Sequence, residues 1–245
     1  SRSPLCSVAA FFSRGNILRR VAGRRAAAGT ARCAEFRATR STALTDAVER
    51  AMDEAGFESA DLVGNSLGGY IALELASRGR AETVVAFAPP GGWEEGDDSY
   101  LETLARQAEM LEVLRIAAPK ADALLSSRAG RRRATAHTTV NFEHIPTELL
   151  AHQVLGAAAC TSGMPLIEHA RRNGWDLDPA DIFCPVRIVW GVEDRLLPWP
   201  DSAARFRDGW LAQAELIELP GVGHCPQLDV PIEAAELILG LTSTR

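Results

Sequence analysis

The chain has 245 residues, of which 47% are hydrophobic and 24% are charged, and its formal net charge is −6. These values predict one soluble globular domain with a large core, and the lack of an apolar run of 18 residues argues against a membrane span. The cysteines have neither C-x-x-C nor metal-ligand spacing, which argues against disulfides or a zinc site and favours a reducing, cytoplasmic location. They are Cys6, Cys33, Cys160, Cys184 and Cys225.

The first 40 residues are strongly basic. They contain nine arginines and a single acid, Glu35, which gives a net charge of +8. Because the whole chain has a net charge of −6, the remaining residues carry −14. No nucleic-acid motif accompanies the arginines, so non-specific charge is favoured over a nucleic-acid partner, although such a start also resembles an organellar transit peptide. The pattern predicts a strand over residues 7–12, a helix over 17–28 and a strand over 30–36. Because arginines stand where buried strands should be apolar, we hypothesise a degraded or truncated start.

A clear helical pattern begins at residue 41. Thr42 or Thr45 is a candidate N-cap and Gly56 a C-terminal stop. The residues predicted to form the buried face recur at helical spacing, and they are Leu44, Val48, Met52 and Ala55.

The next stretch contains Gly64-Asn65-Ser66-Leu67-Gly68 between a predicted strand and a predicted helix that Gly79 ends. This is the G-x-S-x-G pattern in the strand–turn–helix context that a nucleophilic serine requires. The glycines are expected to let the turn fit against the neighbouring strand and helix, while Ser66 adopts a strained backbone conformation. A continuous apolar strand is predicted next, over residues 83–88.

Residues 93–180 are predicted to be helical, with no strand of the buried type. The longest apolar face comprises Leu101, Leu104, Ala108, Leu111, Leu114 and Ile116. Arg131–Arg133 is interpreted as a solvated loop or helix face, with contact to an anionic substrate as the alternative. The histidines here have no metal spacing and are interpreted as surface or packing residues; they are His137, His144, His152 and His169.

The last part of the chain resumes the strand–helix alternation. Strands are predicted over residues 185–190 and 215–219, and helices over 202–211 and 232–241. Such alternation predicts an α/β fold with a doubly wound, mostly parallel sheet. We assign residues 1–92 and 181–245 to its core and 93–180 to an inserted helical cap.

Two loops offer the general base and the carboxylate that a nucleophilic Ser66 would need. A serine hydroxyl needs a general base, usually a histidine that a buried carboxylate orients. Asp194 follows the 185–190 strand and His224 follows the 215–219 strand, and in parallel sheets the site lies at these carboxyl ends. Glu193 is the alternative to Asp194.

Three stretches carry a resemblance to a known family. They are Val63–Gly69, Trp190–Pro198 and Pro220–Pro231, and the chain from about residue 41 onward resembles the α/β-hydrolase superfamily. The resemblance implies Ser66 as nucleophile, His224 as general base and then acid, and Asp194 as the orienting carboxylate.

The resemblance also implies an oxyanion hole. One donor would be the backbone N–H of Leu67. The other normally comes from an upstream loop with a His-Gly pair, which this chain replaces with Ala-Ala-Phe-Phe, so the amide of Phe11 or Phe12 is the candidate. Trp93, Trp175 and Trp199 are expected beside the cleft. Ordinary packing of the cap is the favoured interpretation of these side chains and contact with the substrate is the alternative, for which Trp93 and Trp199 are the candidates.

We therefore expect a serine hydrolase that cleaves a small ester or related acyl substrate, without a cofactor or metal. A serine nucleophile argues against the epoxide hydrolase and haloalkane dehalogenase branches, which use an aspartate. The alternative enzyme is a carbon–carbon bond hydrolase that acts on a diketone-like ring-cleavage product. An alternative of another class is a weak or inactive hydrolase-fold protein that acts by binding.

Overall fold

A five-stranded sheet forms the centre of the computed structural model, which describes residues 10–12, 41–175 and 177–243. The strands lie in chain order across the sheet, and β2 to β5 run parallel. Their bounds are β1 Ala10–Phe12, β2 Ala60–Asn65, β3 Ala81–Phe87, β4 Val186–Gly191 and β5 Ala214–Leu219. The mostly parallel α/β sheet predicted from the alternating pattern is confirmed.

The edge strand β1 differs in direction from the rest of the sheet, since it runs antiparallel to β2. It forms part of the strand predicted over residues 7–12. The helix predicted over 17–28 and the strand predicted over 30–36 lie outside the described residues.

The helix α1, Ser41–Ala55, packs on α2, Leu67–Ser77, next to the sheet. Of its predicted apolar face, Leu44, Val48 and Met52 are buried, but Ala55 is exposed because the helix ends there and Gly56 turns away at φ 79°. Thr45 lies inside the helix rather than at its cap, and its hydroxyl donates to Glu74 of α2 at 2.6 Å.

The central strands are apolar on both faces, as parallel strands covered by helices must be. Leu62, Val84 and Ile188 belong to the larger core cluster. Val85 and Val189, their neighbours along β3 and β4, belong to a second cluster on the other face, which the C-terminal helix α10, Pro231–Thr242, covers. This alternation fixes the register of the sheet and thus the edge at which its carboxyl ends meet.

Between β3 and β4, the described residues of 93–180 form helices and no strand, as predicted. Leu104 is buried, but Ile116 is 79% exposed, so the predicted apolar face ends before the last turn of its helix. Arg132 and Arg133 are exposed on a helix, in agreement with a solvated face, whereas Arg131 is half-buried and its Nη1 donates to Leu125 O at 3.1 Å. The helices of this helical segment are α3 Tyr100–Ala117, α4 Ala121–Leu125, α5 Arg128–Thr135, α6 Thr147–Ala159 and α7 Gly163–Asn173.

The helix predicted over residues 202–211 is shorter than expected. A 3-10 turn, Asp201–Ala203, leads into α8, Ala204–Arg207, and Gly209 at φ 80° ends it. The short α9, Pro226–Asp229, then precedes α10. Within the described ranges, none of the helices combines the length and the apolar character that a membrane crossing requires.

Candidate active site

Ser66 stands at a sharp turn between β2 and α2. Its backbone has φ 55° and ψ −127°, a conformation that non-glycine residues rarely adopt and that has to be held by its surroundings. The Ser66 amide donates to Phe87 O of β3 at 2.8 Å. A Cβ at position 64 would lie 2.1 Å from the carbonyl oxygen of Gly68, so only glycine permits this close approach. The turn places Ser66 at the N-terminal end of α2, as the motif predicts.

Asp194 and His224 form a buried pair. Asp194 Oδ2 lies 2.7 Å from His224 Nδ1, and the two residues are 4% and 2% exposed. The other oxygen of Asp194 accepts the amides of Leu196 and Leu197, both at 2.8 Å. Because an ionised carboxylate only accepts hydrogen bonds, Nδ1 carries the proton and Nε2 of the neutral ring is left as an acceptor. Glu193 is exposed, so the structure pairs Asp194 rather than Glu193 with the histidine.

His224 Nε2 is buried and has no hydrogen-bond partner among the described residues. The hydrogen bond from Ser66 to this atom is therefore not formed in this structure. Such contacts are often long without substrate and tighten in the complex. The unpaired Nε2 is the atom that a general base would use.

Asn65, which sequence reasoning did not single out, joins the turn to the histidine loop. Its Nδ2 donates to Phe87 O at 3.1 Å and to His224 O at 2.9 Å. Its Oδ1 accepts from Gln227 Nε2 at 3.1 Å and Cys225 Sγ at 3.4 Å. The residue before Ser66 thus fixes the loop that carries His224. The available signal was a polar side chain at the variable position just before the serine.

Cys225 follows the histidine directly. Burial raises the pKa of its thiol to about 12, with the negative charges of Asp194 and Asp229 adding to the effect. Since the thiolate is the reactive form, this thiol acts as a weak hydrogen-bond donor and is a poor nucleophile.

The two predicted oxyanion donors lie in different places relative to Ser66. Leu67 is the first residue of α2, where backbone N–H groups lack an intrahelical partner and favour negative charge. Phe11 pairs with Leu62, four residues before Ser66, and β1 runs away from the turn. Four residues of strand span roughly 13 Å, so this register does not bring the Phe11 amide to Ser66, and its role as a donor stays a prediction. The same register places Phe12 farther away still.

The tryptophans expected beside the cleft lie in core packing. Trp93 is buried in the larger core cluster and contacts the Tyr100 ring at 5.9 Å. Trp199 packs against the same cluster, with its ring 6.4 Å from that of Trp190. Trp175 contacts the Tyr70 ring at 5.1 Å. Contact of Trp93 or Trp199 with a substrate stays a prediction.

Metal ligands do not cluster in the part of the chain that the structure describes. No group of three His, Cys, Asp or Glu side chains there could hold an ion. Of the predicted surface histidines, His137, His144 and His152 are exposed, and His144 Nε2 lies 2.7 Å from Leu228 O.

Comparison with known proteins agrees with this architecture. The epoxide hydrolase EphH of Mycobacterium tuberculosis (strain ATCC 25618 / H37Rv) is 32% identical over 198 residues, which cover 81% of this chain and 92% of that protein.

Solved structures share the fold at lower identity. A membrane phospholipase A, described as a bacterial virulence factor, matches with a TM-score of 0.62 and 20% identity over 83% of this chain; the match spans only 63% of that chain. The 2-hydroxy-6-oxo-6-phenylhexa-2,4-dienoate hydrolase of Rhodococcus sp. strain RHA1 matches with a TM-score of 0.59 and 20% identity over 86% of this chain and 74% of that chain. The sequence itself matches the alpha/beta hydrolase family over residues 8–237. The chain therefore belongs to the alpha/beta hydrolase family.

Proposed function

We propose that this hydrolase is a serine enzyme that cleaves a small ester or a related acyl substrate through an acyl-enzyme on Ser66. The observation that carries the proposal is the buried Asp194–His224 pair, whose unpaired Nε2 lies on a loop bonded to the neighbour of Ser66. We also propose that the helical segment forms a cap over the cleft and selects the acyl group.

In the proposed mechanism, His224 Nε2 accepts the proton of the Ser66 hydroxyl as its oxygen attacks the substrate carbonyl. The oxyanion lies against the Leu67 amide. The imidazolium, stabilised by Asp194, protonates the leaving alcohol, and an acyl ester on Ser66 remains. Water deprotonated by His224 then attacks that ester, releases the acid and restores the serine.

The rate is expected to depend on the second oxyanion donor. Losing one donor typically costs about 10²–10³ in kcat. The register of β1, in which Phe11 pairs with Leu62, does not support Phe11 as that donor. This is the observation that keeps a catalytically weak binding protein as the rival of another class.

Carbon–carbon bond hydrolysis is the second candidate. It is supported by the Gly-Asn-Ser-Leu-Gly-Gly sequence of the turn and by the shared fold of the Rhodococcus dienoate hydrolase. A shared fold alone does not assign the same substrate to this chain.

Epoxide hydrolysis is suggested by the name of the Mycobacterium tuberculosis relative. A carboxylate that opens an epoxide forms an ester, whose carbonyl water can then attack. Ser66 would form an ether, which offers no carbonyl, so the reaction would stop after one event. We therefore rank epoxides below acyl substrates.

A substrate panel tests the proposal. Purified protein is assayed with p-nitrophenyl esters of increasing acyl length, a vinylogous diketone and styrene oxide. Ser66→Ala is the inactive variant, and Ser77→Ala, at the other end of α2, is the matched control. We expect ester turnover in wild type and Ser77→Ala only. Diketone turnover without ester turnover would favour the second candidate, and no turnover at all would favour the binding protein.

A further inference from the structure

Asp229 is a buried carboxylate outside the triad, and it is only 4% exposed. Its Oδ1 accepts the amides of Val140 at 2.9 Å and Asn141 at 2.7 Å. Its Oδ2 accepts the amide of Gly223 at 2.7 Å and shares that of Val140 at 3.1 Å. Asp229 makes no ion pair with any described residue, so backbone N–H groups are the partners that compensate its burial.

These amides belong to two different parts of the molecule. Val140 and Asn141 lie in the helical segment, between α5 and α6, whereas Gly223 directly precedes His224. One carboxylate thus joins the helical segment to the loop of the proposed base.

The backbones of the two parts also meet directly. The Cys225 amide donates to Thr138 O at 2.9 Å, so residues on both sides of His224 are bonded to the stretch 138–141 or to Asp229. A Cβ at Gly223 would lie 3.1 Å from Thr138 O and 3.2 Å from Asp229 Oδ2. The histidine loop is therefore held in close contact with the helical segment.

We propose that Asp229 is a positioning residue that makes the placement of His224 depend on the docking of the 138–141 stretch. It acts through Gly223 and does not contact the substrate. The inference rests on the proposed function for its catalytic consequence, but its structural part can be tested without turnover. It predicts that a change in how the helical segment docks alters the base as well as substrate entry.

Asp229→Asn tests this with almost no change in shape. Both oxygens accept backbone amides, so the NH₂ group of asparagine must face an N–H donor in either orientation. Asp178→Asn is the matched control, because Asp178 also accepts a backbone amide, that of Ala180 at 2.9 Å, but away from this contact. We expect kcat per titrated active site to fall about 10- to 100-fold in Asp229→Asn, as for a catalytic group displaced by roughly 1 Å, with KM little changed. Asp178→Asn should keep the wild-type kcat.

A purely structural role would instead lower the melting temperature and the active fraction and leave kcat per active site unchanged, which would overturn the proposal. The second readout is the downfield proton NMR signal of His224 Nδ1–H, which needs no substrate. We expect it to shift or exchange faster in Asp229→Asn and to stay unchanged in Asp178→Asn. An unchanged signal in folded Asp229→Asn would also overturn the proposal.

If Asp229→Asn does not fold, Asp229→Glu, which keeps the charge but moves it by one methylene, is measured in the same way. Failure of both variants to fold would assign Asp229 to global stability and overturn the positioning role. If the wild type neither turns over esters nor reacts with an active-site probe, the proposed function fails, and the NMR comparison alone decides on Asp229.

Discussion

Asp194→Asn is the substitution whose outcome follows most directly from the geometry. Asp194 Oδ1 accepts the two amides of Leu196 and Leu197, whereas Oδ2 accepts one proton from His224. An asparagine at 194 keeps its oxygen toward the two amides, because turning it would place NH₂ against both donors. Its NH₂ then faces His224 Nδ1, which has to become the acceptor.

The consequence is the wrong tautomer. With Nδ1 accepting, the ring proton moves to Nε2, the atom that has to receive the serine proton. A comparable substitution in a serine protease triad lowers kcat about 10⁴-fold with the geometry intact, and we expect a loss of that order. It corresponds to about 5.4 kcal/mol of transition-state stabilisation.

The assay is p-nitrophenyl ester hydrolysis, with melting temperature as the check on folding. Glu193→Gln is the matched control, since Glu193 is the exposed neighbouring acid, and it should retain wild-type kcat. If folded Asp194→Asn kept the wild-type rate, or if Glu193→Gln lost it instead, the tautomer argument would be refuted.

Three further outcomes follow from the contacts around the turn. Gly64→Ala places its Cβ 2.1 Å from Gly68 O, so we expect the free energy of unfolding in urea to fall by about 1–3 kcal/mol. The control Gly240→Ala, whose Cβ would have no neighbour closer than 3.4 Å, should be tolerated, and equal stability of the two variants would contradict this. Asn65→Ala removes four hydrogen bonds, so we expect the unfolding free energy to drop by about 2–4 kcal/mol and ester turnover to fall. If neither quantity changed, the conclusion that Asn65 holds the His224 loop in place would be contradicted. Because burial raises the pKa of the Cys225 thiol from 9.0 to about 12, the thiol stays protonated as the pH rises to about 10. Iodoacetamide should therefore alkylate this half-buried cysteine much more slowly in native than in denatured protein, and equal rates would contradict the raised pKa.

Sequence reasoning predicted the parts of the fold that depend on local patterns. The order of Ser66, Asp194 and His224, each after its own strand, anticipated the sheet edge at which the pair forms. The continuous apolar run predicted over residues 83–88 and the helical pattern of the segment after it were equally predictable, because buried parallel strands and helices have distinct hydrophobic patterns.

The rest depended on contacts between distant parts of the chain. The direction of β1 is a matter of pairing with Leu62 and Val63, which a three-residue strand does not encode in its own sequence, so the role of Phe11 stays a prediction that this register does not support. Asn65 and Asp229 were missed because partners that define their roles lie far along the chain: the carbonyl of His224 for Asn65, and the amides of Val140 and Asn141 for Asp229. Because every residue except proline carries the same backbone N–H and C=O groups, the sequence does not indicate which of them a side chain will bind.

Labelling by a fluorophosphonate, located by peptide mass spectrometry, tests the central claim that Ser66 is an activated nucleophile. We expect one adduct in the wild type, on the peptide that contains Ser66, and the same adduct in Ser77→Ala. Ser66→Ala should carry none. A wild-type protein that stays unlabelled, or an adduct that persists in Ser66→Ala, would contradict the account.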